Sequence, residues 1–335
     1  MDFLFESTKD DLGRMSSRLK WICRVLETNF PNLPPLDDYE QDGTTSSEIA
    51  NRIEIIAKYL EYALPVQKIP KATGKLREIQ NHLMELMLVF EKFCKSIGVK
   101  FWLDYGTLIG ALRHKGFIPW DDDIDVCMMS EDWEKIQRNK DKLASFGLKL
   151  HMPPFLCIPK IKWSDEQVAK GKDPKAFVDI FAFYKMNPSI DFEAGKKMAY
   201  DAIDHHLNLS AKVSDSELKR MVAYCNEFNR KLAPSGGARA THLFRGLEFS
   251  LADKWDCLPI EYVFPLAYTS FEGHKFAIPH QAEVRLETFK YGKRWNNYPI
   301  NAKFRPHHLS GLDDRHGNVN IQSFTEWIAN KEGKE

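Results

Sequence analysis

Apolar residues recur every three or four positions at Leu12, Met15, Leu19, Ile22 and Leu26, the period of an amphipathic helix, and the pattern stops before Pro31, Pro34 and Pro35. A second helix is predicted from Thr45, which with Glu48 forms a capping box, and carries Ile49, Ile53, Ile56 and Leu60 on one face until Pro65. Together they predict an N-terminal helical hairpin over 1–70. After a linker at 65–74 the same period returns at Leu76, Ile79, Leu83, Leu86, Phe90, Phe93 and Ile97, with Gly98 placed to end the helix.

The period then changes. Short apolar runs at 101–105, 124–129 and 177–183 read as strands, and 271–278 reads as a hairpin turning at Glu272 and Gly273. Ser214 and Glu217 cap a helix that runs to about Leu232, and 279–291 reads as a helix stopped by Gly292. The sequence at 234–238, P-S-G-G-A, lacks the lysine and hydroxyl residue of a phosphate loop and reads as a connector, while the end beyond Asn330 reads as a polar, frayed tail.

Composition narrows the function classes. With 335 residues, 43% hydrophobic and 28% charged, the chain can bury one large core or two modest ones. Lys plus Arg and Asp plus Glu each number 47, so no global field draws polyanions, which argues against a nucleic-acid partner. The start M-D-F-L-F-E does not read as a secretory signal and no long apolar run reads as a membrane span, so a cytoplasmic protein is expected. Cys23, Cys94, Cys127, Cys157, Cys225 and Cys257 are widely spaced and read as reduced, mostly buried thiols with no zinc site.

The chemistry concentrates where carboxylates enter the second strand. Alternation along a strand puts Asp123 and Asp125 on one face about 6 to 7 Å apart. Carboxylates crowded in this way repel one another, and a hard divalent cation is the usual compensation. An all-oxygen donor set favours magnesium, with manganese as the substitute. Asp179 interrupts an otherwise apolar strand and would complete a three-carboxylate cluster if that strand lay beside the second. A calcium loop fails on spacing, since Val126 stands where glycine is needed; a solvated acidic turn is the plainer alternative. Gly106 and Thr107 would let the chain turn tightly and aim backbone N–H groups at a phosphate.

A glycine-bearing turn followed by D-x-D resembles the nucleotidyltransferase fold, here with fifteen residues between Thr107 and Asp123. The longer block D-Y-G-T-L-I-G-A-L-R-H-K-G-F-I-P-W-D-D-D-I-D-V resembles the signature of LicD-type phosphocholine transferases, relatives of the fukutin-type ribitol-phosphate transferases. The resemblance extends through P-K-I-K at 159–162, V-D-I-F at 178–181, F-E-G-H-K-F-A-I-P, Y-G-K-R-W and Pro299. It implies an α+β fold, a nucleotidyltransferase-like mixed sheet flanked by helices, in a catalytic domain at 71–300; the helical extension at 1–70 read from periodicity precedes it and a tail at 301–335 follows. It further implies that Asp123 and Asp125 bind the catalytic metal, that Asp179 is the third acid, and that Gly106, Thr107 and Arg113 border the donor phosphates. The segment before Lys75 has no counterpart in the motif set, and Ala182 stands where the family often has proline, so a different acceptor is open.

On this resemblance a CDP-linked donor, CDP-choline or a CDP-polyol, arrives with Mg2+. Arg113, His114, Lys115, Lys160 and Lys162 then offset charge on the transferred group. A hydroxyl of a glycan or glycolipid acceptor attacks in line, CMP leaves, and Asp122 and Asp179 compete as general base. Trp102, Tyr105, Trp120, Trp163 and Trp295 are the aromatic faces available to a choline cation. His205, His206, His307 and His308 read as surface or structural residues. A lipid-linked acceptor would call for peripheral contact with the inner membrane face, although no strongly basic amphipathic helix argues for it. A glycosyltransferase releasing UDP or GDP, and a non-catalytic nucleotide or sugar binder, are the rival readings.

Overall fold

The computed structural model describes residues 65–152, 158–206, 215–233, 239–247, 255–288 and 291–297. The predicted N-terminal hairpin, the Ser214 cap, the connector at 234–238, Cys23, Cys157, His307, His308, Pro299 and the polar tail lie outside them. Pro70–Asn296 belong to one compact unit. Residues 65–69 belong to another and contain one turn of 3-10 helix, Val66–Lys68.

Helix α1 spans Gly74–Ser96 and buries the predicted stripe, with Leu76, Leu83, Leu86, Phe90 and Phe93 inaccessible or nearly so. Phe90 stacks on Phe101 of strand β1 (Phe101–Leu103) at 5.6 Å between ring centroids. Burying a side chain of this size contributes on the order of 2 kcal/mol, so the stripe rather than helix propensity holds α1 in place. Gly98, at φ +67°, turns the chain into β1.

Strand β1 ends sooner than its hydrophobic run suggests. The Asp104 carboxylate accepts from the backbone N–H of Tyr105, which opens helix α2 (Tyr105–Arg113). Strand β2 (Asp125–Met129) runs antiparallel to β1. Helices α3 (Ser130–Arg138) and α4 (Lys140–Ser145), strands β3 (Leu148–His151) and β4 (Lys160–Trp163), and helix α5 (Asp165–Ala169) follow. The chain then returns as β5 (Phe177–Lys185), parallel to β2.

The sheet order is β1-β2-β5-β4-β3. The long β5 pairs with β4 along its first half and with β6 (His242–Arg245) along its second, and β6 pairs with β7 (Cys257–Pro259). Helices α6 (Phe192–His206) and α7 (Asp215–Leu232) precede β6, and a second core there joins Met186, Ala199, Phe228, Leu232 and Trp255. The sheet is thus mixed and flanked by helices, an α+β architecture. The short strands β3, β4, β6 and β7 carry too few residues to show a period in the sequence.

Helix α8 (Ile260–Val263) leads to the hairpin of β8 (Ala267–Phe271) and β9 (His274–Ile278), and its turn residues Glu272 and Gly273 both have positive φ, as a two-residue hairpin loop requires. Helix α9 spans Ala282–Thr288, shorter than the predicted 279–291. Its start is delayed because the N–H groups of His280 and Gln281 are drawn to the carbonyls of Val263 and Tyr262. Gly292 opens a 3-10 turn, Gly292–Arg294. Cys94, Cys127, Cys225 and Cys257 are free thiols; burial pushes Cys94 and Cys127 well up and Cys257 to about 12, in keeping with unreactive reduced groups.

The loop from α2 to β2 carries the acids, and three elements clamp it. Gln80 of α1 donates to the carbonyls of Asp121 (2.9 Å) and Ile118 (3.4 Å). Glu272 at the hairpin tip accepts from Phe117 N–H (3.2 Å), Arg77 (2.7 Å) and Lys71 (2.8 Å). The loop also lies directly on α2, where a Cβ on Gly110 would sit 2.5 Å from the Gly116 carbonyl oxygen and 3.1 Å from Ile118 N. Gly110→Ala is therefore expected to lower stability by about 1–3 kcal/mol through overpacking, read as a lower urea midpoint at unchanged slope.

Candidate active site

Asp125 opens β2 and Asp179 is the third residue of β5, and the parallel register sets them opposite each other. The Asp179 N–H donates to Ile124 O at 2.8 Å, locking that register at the site. Asp123, Asp125 and Asp179 each offer a carboxylate oxygen, all within 4.8 Å of one another. Asp123 and Asp179 are buried and Asp125 half-buried. Burial, then Asp123 and Asp179, pushes the Asp125 carboxyl well above its ordinary range, with Lys160 opposing.

A fourth acid, Asp121, was not singled out from the sequence. Burial, then Asp123 and Asp125, raises its carboxyl as well. Its Oδ2 would lie 3.2 Å from a Cβ on Gly106, and Asp125 Oδ2 3.8 Å, so glycine at 106 lets the first turn of α2 approach both carboxylates. A helix N-terminus carries positive partial charge, which partly offsets the acids. Even so, several carboxylates with one neighbouring ammonium leave excess negative charge. Oxygen-only donors at this spacing suit a hard divalent cation such as Mg2+ or Mn2+.

The other expected site residues fall into distinct places. Thr107 is buried and its hydroxyl accepts from Asp125 N–H at 2.8 Å, so it positions an acid directly. Lys160 Nζ lies 2.5 Å from Asp179 Oδ1 and 3.6 Å from the Phe177 ring centroid. Lys162 stands two residues further along β4, opposite Phe177. Asp122 is buried beside the cluster but is not one of the three converging ligands.

Arg113 ends α2 with its guanidinium 5.8 Å from the Trp120 ring centroid, donating to Trp295 O (3.2 Å) and to His114 Nε2 (3.0 Å). Burial, then Arg113, lowers His114 to about 3. His114 is thus neutral at physiological pH and brings a hydrogen-bonding ring instead of the expected positive charge. Lys115 adopts φ +56° and its carbonyl accepts from Glu272 N–H, so its backbone serves the loop clamp. Among the aromatic faces, Trp102 and Trp163 are core residues, Tyr105 is buried 4.7 Å from the Phe181 ring, and Trp120 and Trp295 are half-buried. A choline cation would have to use the last two.

Behind the acids lies a second arrangement that single-residue reading missed. Arg285 of α9 donates to Asp104 through Nε (3.1 Å) and in a bidentate pair to Asp256 (2.9 and 2.6 Å). Asp104 also accepts from Trp102 Nε1 (3.1 Å), and Asp256 from the Tyr105 hydroxyl (3.0 Å). Tyr291 feels the same field: burial, then Asp125 and Asp104, raises its hydroxyl.

Comparison with known proteins finds relatives of the segment that carries this geometry. Residues 98–215 match the family described as LicD/FKTN/FKRP, nucleotidyltransferase domain. These residues are similar to the LicD-type nucleotidyltransferase domain. The chain is 24% identical to the lipopolysaccharide cholinephosphotransferase LicD of Haemophilus influenzae over 277 residues, 70% of this chain and 96% of that protein. It is 31% identical to the ribitol-5-phosphate transferase FKTN of Mus musculus over 164 residues, 47% of this chain and 34% of the relative. With human ribitol 5-phosphate transferase FKRP the identity is 29% over 118 residues, 35% of this chain and 22% of the relative. The chain therefore covers nearly all of the LicD relative and 34% and 22% of the two ribitol phosphate transferases. The LicD-type match contains Asp123, Asp125, Asp179 and Lys160, whereas Asp256, Glu272 and Arg285 lie beyond it. Among the described residues no helix is long and apolar enough to cross a membrane.

Proposed function

We propose that this chain is a divalent-metal-dependent transferase that moves phosphocholine, or a related polyol phosphate, from a CDP-linked donor to a hydroxyl of a glycan. The observation that carries this reading is the convergence of Asp123, Asp125 and Asp179 within 4.8 Å inside the matched domain. Its support from relatives is that their names are those of phosphocholine and ribitol phosphate transferases.

The three carboxylates would hold Mg2+, whose part is to neutralise the diphosphate and polarise the transferred phosphorus. Lys160, fixed by Asp179, adds a positive charge at the edge of the cluster, and Arg113, fixed by Trp120 and Trp295 O, adds another at the end of α2. The acceptor oxygen forms a bond to the phosphorus that bears choline or polyol as the bond from that phosphorus to the CMP oxygen breaks. The hydroxyl proton passes to a carboxylate, for which Asp122 and Asp179 are the candidates, and CMP departs.

Purified protein incubated with Mg2+, glycan acceptors and a panel of CDP-choline, CDP-ribitol, CDP-glycerol, UDP-sugars and GDP-sugars is expected to release CMP from one CDP compound. The acceptor gains the mass of the phosphorylated alcohol. Release of UDP or GDP would establish the glycosyltransferase reading instead, and a product carrying CMP would reverse the direction of transfer.

A further inference from the structure

The face of the sheet that holds the acids continues beyond them as a basic strip. In antiparallel pairs, directly opposed residues point to the same side, as do residues two apart on one strand. The registers Asp179↔Lys160 and Lys160↔His151 place these three side chains on one face. The registers Phe177↔Lys162 and Lys162↔Lys149 place the next row on the same face. The opposite face at this point is core, with Ile161 and Trp163 buried. Three lysines and a histidine thus lie side by side, running from the carboxylate cluster to the edge strand β3.

Two of these ammonium groups have a carboxylate. Lys160 pairs with Asp179, and Lys149 lies 2.5 Å from Asp165, whose side chain is 92% exposed. Among the described residues no carboxylate lies within ion-pair distance of Lys162, which is half-buried between the other two. Asp173, the acid whose field reaches it, is engaged by His82 and the Lys175 N–H. Burial, then Lys149 and Lys160, lowers the Lys162 ammonium; burial, then Lys162 and Lys149, lowers His151. Holding Lys162 between two other cations with no carboxylate of its own costs stability, and a bound anion lowers the cost.

We propose that Lys162, Lys149 and His151 form a second anion seat, which takes a phosphate-class group on the acceptor while the donor diphosphate occupies the carboxylate cluster. This rests on the transferase reading and names the acceptor as an anionic, phosphate-bearing sugar. The separation supports it. Lys162 lies one residue pair along the strand from Lys160, about 7 Å, and Lys149 a further strand spacing of about 5 Å outward. That places the seat beside the carboxylate cluster rather than on it, leaving the cluster to the donor.

Binding by the full-length protein, measured by calorimetry with glucose 6-phosphate as probe, glucose as control and CDP-choline with Mg2+ as donor, tests the assignment. The sugar phosphate is expected to bind and glucose not to. Lys162→Gln and Lys149→Gln should each weaken the sugar phosphate about tenfold, as expected for one charge-assisted hydrogen bond, whereas Lys162→Arg should keep it. CDP-choline affinity should be unchanged in Lys149→Gln, which has no part in the donor site, and the two ligands should bind together. Equal affinity for glucose, or no effect of either Gln variant, would overturn the seat. Weakened CDP-choline together with mutual exclusion would make these lysines part of the donor site and overturn the acceptor assignment. Should CDP-choline fail to bind even the unaltered protein, the donor reading fails while the glucose 6-phosphate comparison still decides the seat.

Discussion

Asp125→Asn is expected to abolish turnover, by about a thousandfold or more, while making the metal-free protein more stable. The two effects share one cause. Asp125 sits opposite Asp179 and beside Asp123, with carboxylate oxygens converging within 4.8 Å, so on the proposed reading it would supply a metal ligand as well as repulsion. Removing one ligand from a three-carboxylate site forfeits several kcal/mol of transition-state stabilisation, which is the stated loss in rate. Without metal, the same change relieves like-charge crowding. The amide still fills the space, and the Thr107 bond to the Asp125 N–H is untouched.

The sign of the pH dependence follows. The folded protein raises the Asp125 carboxyl above its unfolded value, through burial and then Asp123 and Asp179. Over that interval the folded state binds more protons than the unfolded state, so this group's contribution falls as pH rises through the raised value. In chelator, the melting temperature of Asp125→Asn should therefore exceed that of the unaltered protein at pH 7, and the difference should vanish near pH 4. With Mg2+ at a hundred times its dissociation constant, the unaltered protein gains about 2.7 kcal/mol, the variant gains far less, and the order of the two melts reverses. A variant less stable than the unaltered protein in chelator at pH 7, or equal metal stabilisation of both, would show that these acids do not form a metal site.

Much of this site was legible in the sequence because it depends on local periods. The two-residue alternation of a strand puts Asp123 and Asp125 on one side whatever the rest of the chain does, and the carboxylate inside F-V-D-I-F marks Asp179 as needing a partner. What local pattern cannot supply is adjacency. Strands β2 and β5 are separated in sequence by α3, α4, β3, β4 and α5, and only the parallel register makes Asp125 and Asp179 neighbours. Asp121 looked like part of a turn until the loop was seen clamped between Gln80, Glu272 and α2. Tyr105 continued an apolar run and so read as strand, yet the Asp104 cap makes it the first residue of a helix. Strand β4, with lysines at alternate positions, showed its basic face only once β3 and β5 bracketed it.

Arg285→Met is expected to destabilise the protein by about 3–5 kcal/mol, the largest loss any single substitution outside the apolar core should produce. Nothing in the local sequence marks Arg285, whose partners Asp104 and Asp256 lie 181 and 29 residues away. Its side chain is 2% exposed and those of Asp104 and Asp256 2% and 1%, so neither carboxylate has water to fall back on. Burial works against the guanidinium, but Asp104, then Asp256, holds it charged. With methionine at 285 the two buried carboxylates lose the guanidinium bonded to both and keep only weaker support such as the Trp102 Nε1 and Tyr105 hydroxyl bonds, and Asp104 is the cap of α2, with its own N–H bonded to the Asp125 carbonyl at 3.4 Å. The damage should therefore reach the carboxylate cluster as well as the fold. Arg285→Lys keeps a charge but cannot donate to Asp256 in parallel while reaching Asp104, and most of the loss should persist. Adding Asp104→Asn and Asp256→Asn to Arg285→Met removes both stranded charges, and urea melts should then recover a substantial part of the stability. Recovery of stability without recovery of Mg2+ stabilisation would show that the charged network orients the end of α2 against the acids; no recovery would mean that the loss lies in the packing of the guanidinium on Tyr105 and Phe183.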